Sequence, residues 1–447
     1  MKKFGFASIG IILVAIIYFF TIGSTQLIAE IKPQVQKEVE MLKTQGFDVE
    51  TKEISTQMQQ HIIAINDTKK ISSFLKSKGV ELSHKDIEQF KGMKLAIDMH
   101  YLADSYSAVS LDIYPLTLPT SLASSTVDKE DKQQLGQLEK MIKDKTFLVH
   151  IDINKLLNGF KGYLKDIDET FHDKNDKNDK QEMQFQINAL TFTGKIKDNK
   201  VTHLTQDLQG FKMAIVNESS MTLAKLSSIY TVTDTQNYHT EYKIENATFS
   251  ADKKYELIID GVHIDSHANV DKNLSSFSVK TQVKNINYKE KEKVTQVAKL
   301  DLEIKVDNLD MKALESLEDI NPNEQEEVIA TLQKLISKGV NFEIPNLSVQ
   351  EITLQKQKME GFTFNSMFKI DKSLDLSLLE KNPMAAIDAI NANLYLSLSN
   401  DIFALIAQQP QAMMALMLFQ PKDFKGKKVY EVELKDAKLL VNGMPVM

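Results

Sequence analysis

Of the nine histidines only two stand close together, in His263-Ile264-Asp265-Ser266-His267. Imidazoles four residues apart can share a metal on a helix, but on a strand they lie about 13 Å apart. The run Ile258 to Ile264 reads as strand, so His263 and His267 are expected at the surface and not as ligands. The chain has no Gly-x-Ser-x-Gly elbow, Gly-rich phosphate loop, GxGxxG or His-Glu-x-x-His motif. The expectation is therefore no catalytic residue, no cofactor and no metal ligand. Asp271-Lys272-Asn273-Leu274-Ser275 matches the acidic bacterial N-glycosylation sequon, a pattern short enough to be an ordinary loop. His172 to Asp179 lacks the glycine and the terminal glutamate of a calcium loop and reads as a solvated linker.

The segment with the strongest binding character is Ala412 to Phe419. Met413, Met414, Leu416, Met417, Leu418 and Phe419 leave no polar face, so the segment must be buried against protein or lipid. Methionine adapts to irregular partners such as acyl chains. These six residues are the expected contacts for an apolar ligand or partner, with packing on the chain's own sheet as the alternative.

Strands must position them. Leu95, Ile97, Met99 and Tyr101 alternate with Ala96, Asp98 and His100, as do Phe147, Val149, Ile151 and Ile153 with their polar neighbours. Leu300, Leu302, Ile304 and Val306 alternate with charged residues, and Leu394, Leu396 and Leu398 repeat the pattern. Period-two alternation with one charged side predicts half-buried antiparallel strands with an apolar side that needs cover. Helices are predicted over Val127 to Lys143, after Asn321-Pro322 with Val328, Ile329, Leu332, Leu335 and Ile336 as stripe, and after Asn382-Pro383. The predicted fold is α+β, mainly β: extended curved antiparallel sheet with helices on one face. A strand-then-helix unit recurs at Phe147 to Phe160, Leu300 to Leu317 and Leu394 to Ile406, which suggests a duplicated module.

At 447 residues the chain has room for more than one core, and its 42% hydrophobic and 26% charged content is that of a folded protein. All 54 basic residues are lysine and the net charge is -7, so arginine's bidentate reading of phosphate and guanine is lost and no nucleic-acid partner is expected. Without cysteine there is no disulfide, thiolate site or lipidated N-terminal Cys.

Met1-Lys2-Lys3 precedes an uncharged run from Phe4 to Ile22. At 1.5 Å per residue such a helix reaches about 28 Å, the thickness of bilayer hydrocarbon. The lysines predict a short cytoplasmic residue range 1–3, a signal anchor over 4–22 and a body outside the cytoplasm. A cleaved signal peptide is the alternative, with Thr21 and Gly23 before a cut at Ser24, but no Ala-x-Ala site is present. Ile31 to Phe47 then reads as a helical stalk, giving a stalk and N-terminal region over 23–92 and β-rich modules over 93–250 and 251–447.

Leu257-Ile258-Ile259-Asp260-Gly261-Val262, the strands Phe277 to Tyr288 and Val294 to Leu309, and the closing Ala437 to Pro445 resemble the YdgA-like family of proteobacterial proteins of unknown function. The resemblance covers about half the chain, while the basic, glycine-containing motif associated with the family after its anchor is absent here. It implies a bacterial inner-membrane anchor and a periplasmic β-rich body with an apolar groove, and carries over no catalytic residue. Two functions fit these expectations: a non-enzymatic envelope protein that binds or guides lipid along the apolar side of its sheet, or a scaffold for other envelope proteins without a small ligand.

Overall fold

The computed structural model describes residues 28–77, 84–102, 104–123, 129–173, 181–197, 200–234, 237–317, 320, 324–378, 387–409 and 419–446. The predicted anchor over 4–22 lies outside them, and no described helix is long and apolar enough to cross a membrane. The chain is mainly β and antiparallel, with few helices, and divides into two compact units, Met1–Ile229 and Tyr230–Met447.

Unit 1 opens with helix α1 (Ile28–Thr44), followed by strands β1 (Phe47–Ser55) and β2 (Met58–Ile65). Helices α2 (Thr68–Ser77) and α3 (His84–Glu88) lead to β3 (Lys94–Tyr101) and β4 (Ser107–Thr117). Helices α4 (Thr120–Ala123) and α5 (Lys129–Lys143) precede β5 (Val149–Asn154), β6 (Gly159–Leu164), β7 (Ile167–Asp173), β8 (Gln181–Lys197) and β9 (Lys200–Ile215). Strand β10 (Ser219–Asp234) straddles the division between units. Consecutive strands pair from β1 to β6, and β6 and β7 share one edge of β8.

The first α-helix is not a free stalk. Val35, Val39 and Leu42 recur at helical spacing and are buried in the unit 1 core with Ile63, Ile71, Phe74, Ile97, Ile113 and Phe147. Helix α5 adds Leu138, Met141 and Ile142 as expected. The alternation in β3 is real, but its second side is covered too: Asp98 is buried, accepting from Tyr114 Oη at 2.9 Å and Gln60 Nε2 at 2.7 Å. Three hydrogen-bonding neighbours, with Lys145 Nζ 3.4 Å from the carboxylate, replace the water that alternation alone would assign there.

The duplicated strand-then-helix module fails in its first copy. Residues 155–158 form a tight turn and Phe160 lies in β6, because Asn154 Oδ1 accepts from Asn158 N and Leu157 adopts φ 55°. The later copies do pass from strand to helix, at α6 (Met311–Leu317) and α8 (Asn400–Ala407).

Unit 2 is a meander of long strands: β11 (Asn237–Ala251), β12 (Tyr255–Asp271), β13 (Leu274–Glu290), β14 (Lys293–Asp310), β15 (Val340–Leu354), β16 (Gln357–Ile370) and β17 (Ile390–Ser399). Strands β18 (Lys422–Phe424), β19 (Lys427–Lys435), β20 (Lys438–Val441) and β21 (Met444–Pro445) close it, with β17 pairing to β19. Helices α6 and α7 (Gln325–Ile336) intervene between β14 and β15. Helix α7 carries the expected stripe, and Glu324 stands at its cap position without a side-chain cap bond. Residues 321–323 and 379–386, which hold the two predicted Asn-Pro helix starts, lie outside the described residues.

A line of backbone irregularity crosses this meander. Gly261 adopts φ 62°, Lys299 adopts φ 53°, and a Cβ on Gly361 would lie 1.8 Å from the Val349 carbonyl oxygen. The apolar phase slips by one residue at the line in five successive strands: Ile259 to Val262, Val283 to Ile286, Val297 to Leu300, Val349 to Ile352 and Met359 to Phe362. The pairing skips one residue on each strand at the line and keeps its register across it, so every strand changes its apolar phase together.

Candidate functional site: an apolar cavity at the end of a half-covered sheet

Register builds rows of apolar residues across unit 2. One row runs Ile264, Thr281, Leu302, Leu347, Phe364, Leu396 and Tyr430. Its neighbour runs Val262, Val283, Leu300, Val349, Phe362 and Leu398. Most members are only half-buried, and Val279, Tyr288, Phe342 and Phe368 are 36 to 40% exposed. The cluster of Ile336, Val340, Leu374 and Ala389 covers one portion, against Val306, Leu309 and Ile370.

Where these rows reach β17, β19 and β20 they form the wall of a cavity of about 410 Å³. Leu394, Leu396, Leu398, Val432, Leu439 and Val441 come from the strands, and Phe403 and Ile406 from α8. That helix is held by its N-cap: Ser399 Oγ accepts from Ile402 N and donates to the Glu360 carbonyl. Phe419 lines the cavity as well. Met413, Met414, Leu416, Met417 and Leu418 lie outside the described residues.

Tyr430 is the polar exception in this lining. Its hydroxyl is buried and has no hydrogen-bond partner among the described residues, and burial raises its pKa above the ordinary tyrosine value. A buried hydroxyl without a partner costs about 1 to 3 kcal/mol, and this one adds no polar surface to the cavity, whose exposed lining is wholly apolar. Sequence reasoning missed Tyr430, although the Leu394-x-Leu396-x-Leu398 alternation pointed to its neighbours.

The opposite register positions carry charge. His239 pairs with His267, Glu241 with Asp265, and Lys243 with His263 across β11 and β12. The two histidines that sequence had put too far apart are indeed separate. Each instead meets a residue of β11: His263 Nε2 lies 2.8 Å from Glu241 Oε1, and His267 stacks on His239.

In unit 1, Ser110 Oγ donates to Asp152 Oδ1 at 2.5 Å, while His150 Nδ1 lies 2.7 Å from Asp112 Oδ1 and Nε2 lies 3.2 Å from Asp152. The Asp112 hydrogen bond raises the His150 pKa above the ordinary histidine value. Serine here bonds carboxylate instead of imidazole, so this arrangement lacks the base contact of an activated nucleophile.

The sequon is a hairpin turn. Lys272 and Asn273 take positive φ between β12 and β13, Asn273 Nδ2 donates to Asp310 Oδ1, and Ser275 is fully buried with its hydroxyl on the Leu309 carbonyl. That geometry suits a two-residue turn with left-handed central residues.

No family model, curated protein or solved structure matches this chain.

Proposed function

We propose that this is a non-enzymatic, membrane-anchored envelope protein that binds an amphiphile with an acyl-type body along the apolar side of unit 2. The cavity is its tightest contact. The observation that carries the reading is the cavity itself, whose exposed lining is wholly apolar. Its volume falls in the range of about 300 to 1,000 Å³ common for small-molecule sites, which are mostly apolar with few polar groups. Half-buried rows leading away from it offer further apolar contact to a long chain.

The anchor over 4–22 and the lysines before it support placement in a bacterial inner membrane with the body in the periplasm. The YdgA-like resemblance points the same way. Mass spectrometry of lipid extracted from gently purified full-length protein tests the reading, with Leu396→Trp as the cavity-filling variant. Copurifying lipid in the wild type and at least a several-fold loss in a folded variant are expected. Equal lipid in both would move binding elsewhere, and a lipid-free wild type would favour the scaffold reading.

A further inference from the structure

We infer that His239, Asp265 and His267 form a binding site for a divalent late first-row transition metal on the β11–β12 hairpin. His239 Nε2 lies 3.0 Å from Asp265 Oδ2, and His267 Nε2 lies 2.7 Å from Asp265 Oδ1. One ligand atom from each residue lies within 4.8 Å of the other two. The two rings are stacked, with centroids 4.3 Å apart and planes 5° from parallel.

Two strands place these donors. His239 and His267 are a direct cross-strand pair, and Asp265 precedes His267 by two residues, on the same side of the strand. The three ligands therefore come from adjacent strands held by a continuous run of antiparallel pairs, not from loops. Two imidazoles and a carboxylate suit Zn²⁺, Ni²⁺ or Cu²⁺ and leave positions open for water or another ligand. Mg²⁺ and Ca²⁺, which prefer all-oxygen shells, are poor candidates.

Coordination requires the rings to leave their parallel stack, because a metal lies in the plane of each imidazole that binds it. His267 has room to turn, with its side chain 56% exposed, and His239 is 35% exposed. Each Nε2 must also present a lone pair, which the Nδ1–H tautomer supplies.

The surrounding charges are mixed. Lys280 stands opposite Asp265 in register on β13 and disfavours a cation, while Glu241 stands opposite it on β11 and favours one. Glu241 is itself engaged by Lys243 and His263. This site belongs to the charged register positions and does not depend on the lipid reading.

The test uses untagged full-length protein in detergent, titrated with Cu²⁺ under electron paramagnetic resonance and with Zn²⁺ by calorimetry. One equivalent of Cu²⁺ with at least two nitrogen ligands is expected. His239→Ala, His267→Ala and Asp265→Asn should each weaken Zn²⁺ binding at least about tenfold, given that even changes around metal ligands cost about 10- to 100-fold. His263→Ala, outside the three donors, should stay within about twofold on the same scale. Circular dichroism checks that each variant is folded. Equal affinity in wild type and His239→Ala/His267→Ala, or a Cu²⁺ signal without imidazole nitrogen, would overturn the assignment.

Discussion

The first half of unit 1 and the long strands of unit 2 are made from the same antiparallel hairpins, yet they treat their apolar residues differently. In unit 1, Ile97, Leu111, Ile113 and Ile151 are no more than 1% exposed, because α1, α2 and α5 supply Leu42, Phe74 and Met141 as cover. In unit 2, Leu300, Leu302, Leu347 and Phe364 have the same alternation but remain half-buried. Sheet formation and sheet covering are thus separate events. Alternation specifies which side is apolar, and a second element must decide whether that side becomes core or surface. Contiguous exposed apolar patches commonly mark interaction sites, which is why the incompletely covered side draws the functional proposal.

The largest effect should come from charging the two sides in turn. Ile97→Asp buries a carboxylate among apolar neighbours and should cost several kcal/mol. Leu302→Asp should cost clearly less, since water reaches its half-exposed position, and Glu303→Ser should stay within about 0.5 kcal/mol. Denaturant midpoints for the three variants make the check. Equal losses for Ile97→Asp and Leu302→Asp would erase the difference between the regions.

Next in size is Gly361→Ala. The added methyl meets the Val349 carbonyl carbon and oxygen, which belong to a paired strand and cannot rotate away. Overpacking of this kind costs about 1 to 3 kcal/mol. Limited proteolysis should show unit 2 opening while fragments of unit 1 stay protected. Simultaneous loss of both would show that the line through Gly261, Lys299 and Gly361 supports more than its own meander.

A smaller effect separates two histidines of unit 1. His61 is fully buried in the β2 core phase, with Nδ1 2.9 Å from Thr51 Oγ1 and Nε2 without a partner among the described residues. Burial lowers its pKa, so below about 6.5 the unfolded chain takes up a proton that the native state refuses, and stability falls with acidity. His150 has the opposite sign: its Asp112 hydrogen bond raises the pKa, and the resulting stability is fully present below about 6.5 and lost as pH rises through the folded value. His61→Leu should flatten the acid limb of Tm against pH, whereas His150→Gln should lower Tm most at acid pH. Identical profiles for the two variants would contradict these environments.

Legibility in the sequence followed the range of each cause. Strand alternation at Leu95 to Tyr101, Phe147 to Ile153 and Leu394 to Leu398 was readable because side chains on one strand repeat every two residues. The burial of Asp98 was not, since its partners Gln60 and Tyr114 are 38 and 16 residues away. The turn at Leu157 reads as helix from apolar spacing alone, because a positive φ at a leucine leaves no mark in composition. The metal-type cluster was hidden for a related reason: His239 and His267 meet only after the hairpin fixes their register. The phase slip at Gly261 and Lys299 was present in the sequence as apolar residues three apart, and it became interpretable only as a line shared by neighbouring strands.

The smallest predicted effect is also the one that bears most directly on the cavity. Tyr430→Phe removes a buried hydroxyl with no partner, so the ligand-free protein should keep its Tm or gain slightly; the ring still packs and the desolvation cost of about 1 to 3 kcal/mol is relieved. If an amphiphile occupies the cavity in the purified wild type, the same change leaves the exposed lining unaltered, because the hydroxyl is covered and the lining wholly apolar. Retention should then stay close to that of wild type, short of the several-fold loss that removing a neutral hydrogen bond of about 0.5 to 1.5 kcal/mol would give. Delipidated and lipid-loaded samples of both proteins, compared by unfolding midpoint and lipid per folded molecule, separate the contributions. A tyrosine that merely fills space gives two variants alike in lipid content. A Tyr430→Phe protein that is no less stable when empty but poorer in lipid when isolated would show instead that bound ligand uncovers the hydroxyl and uses it.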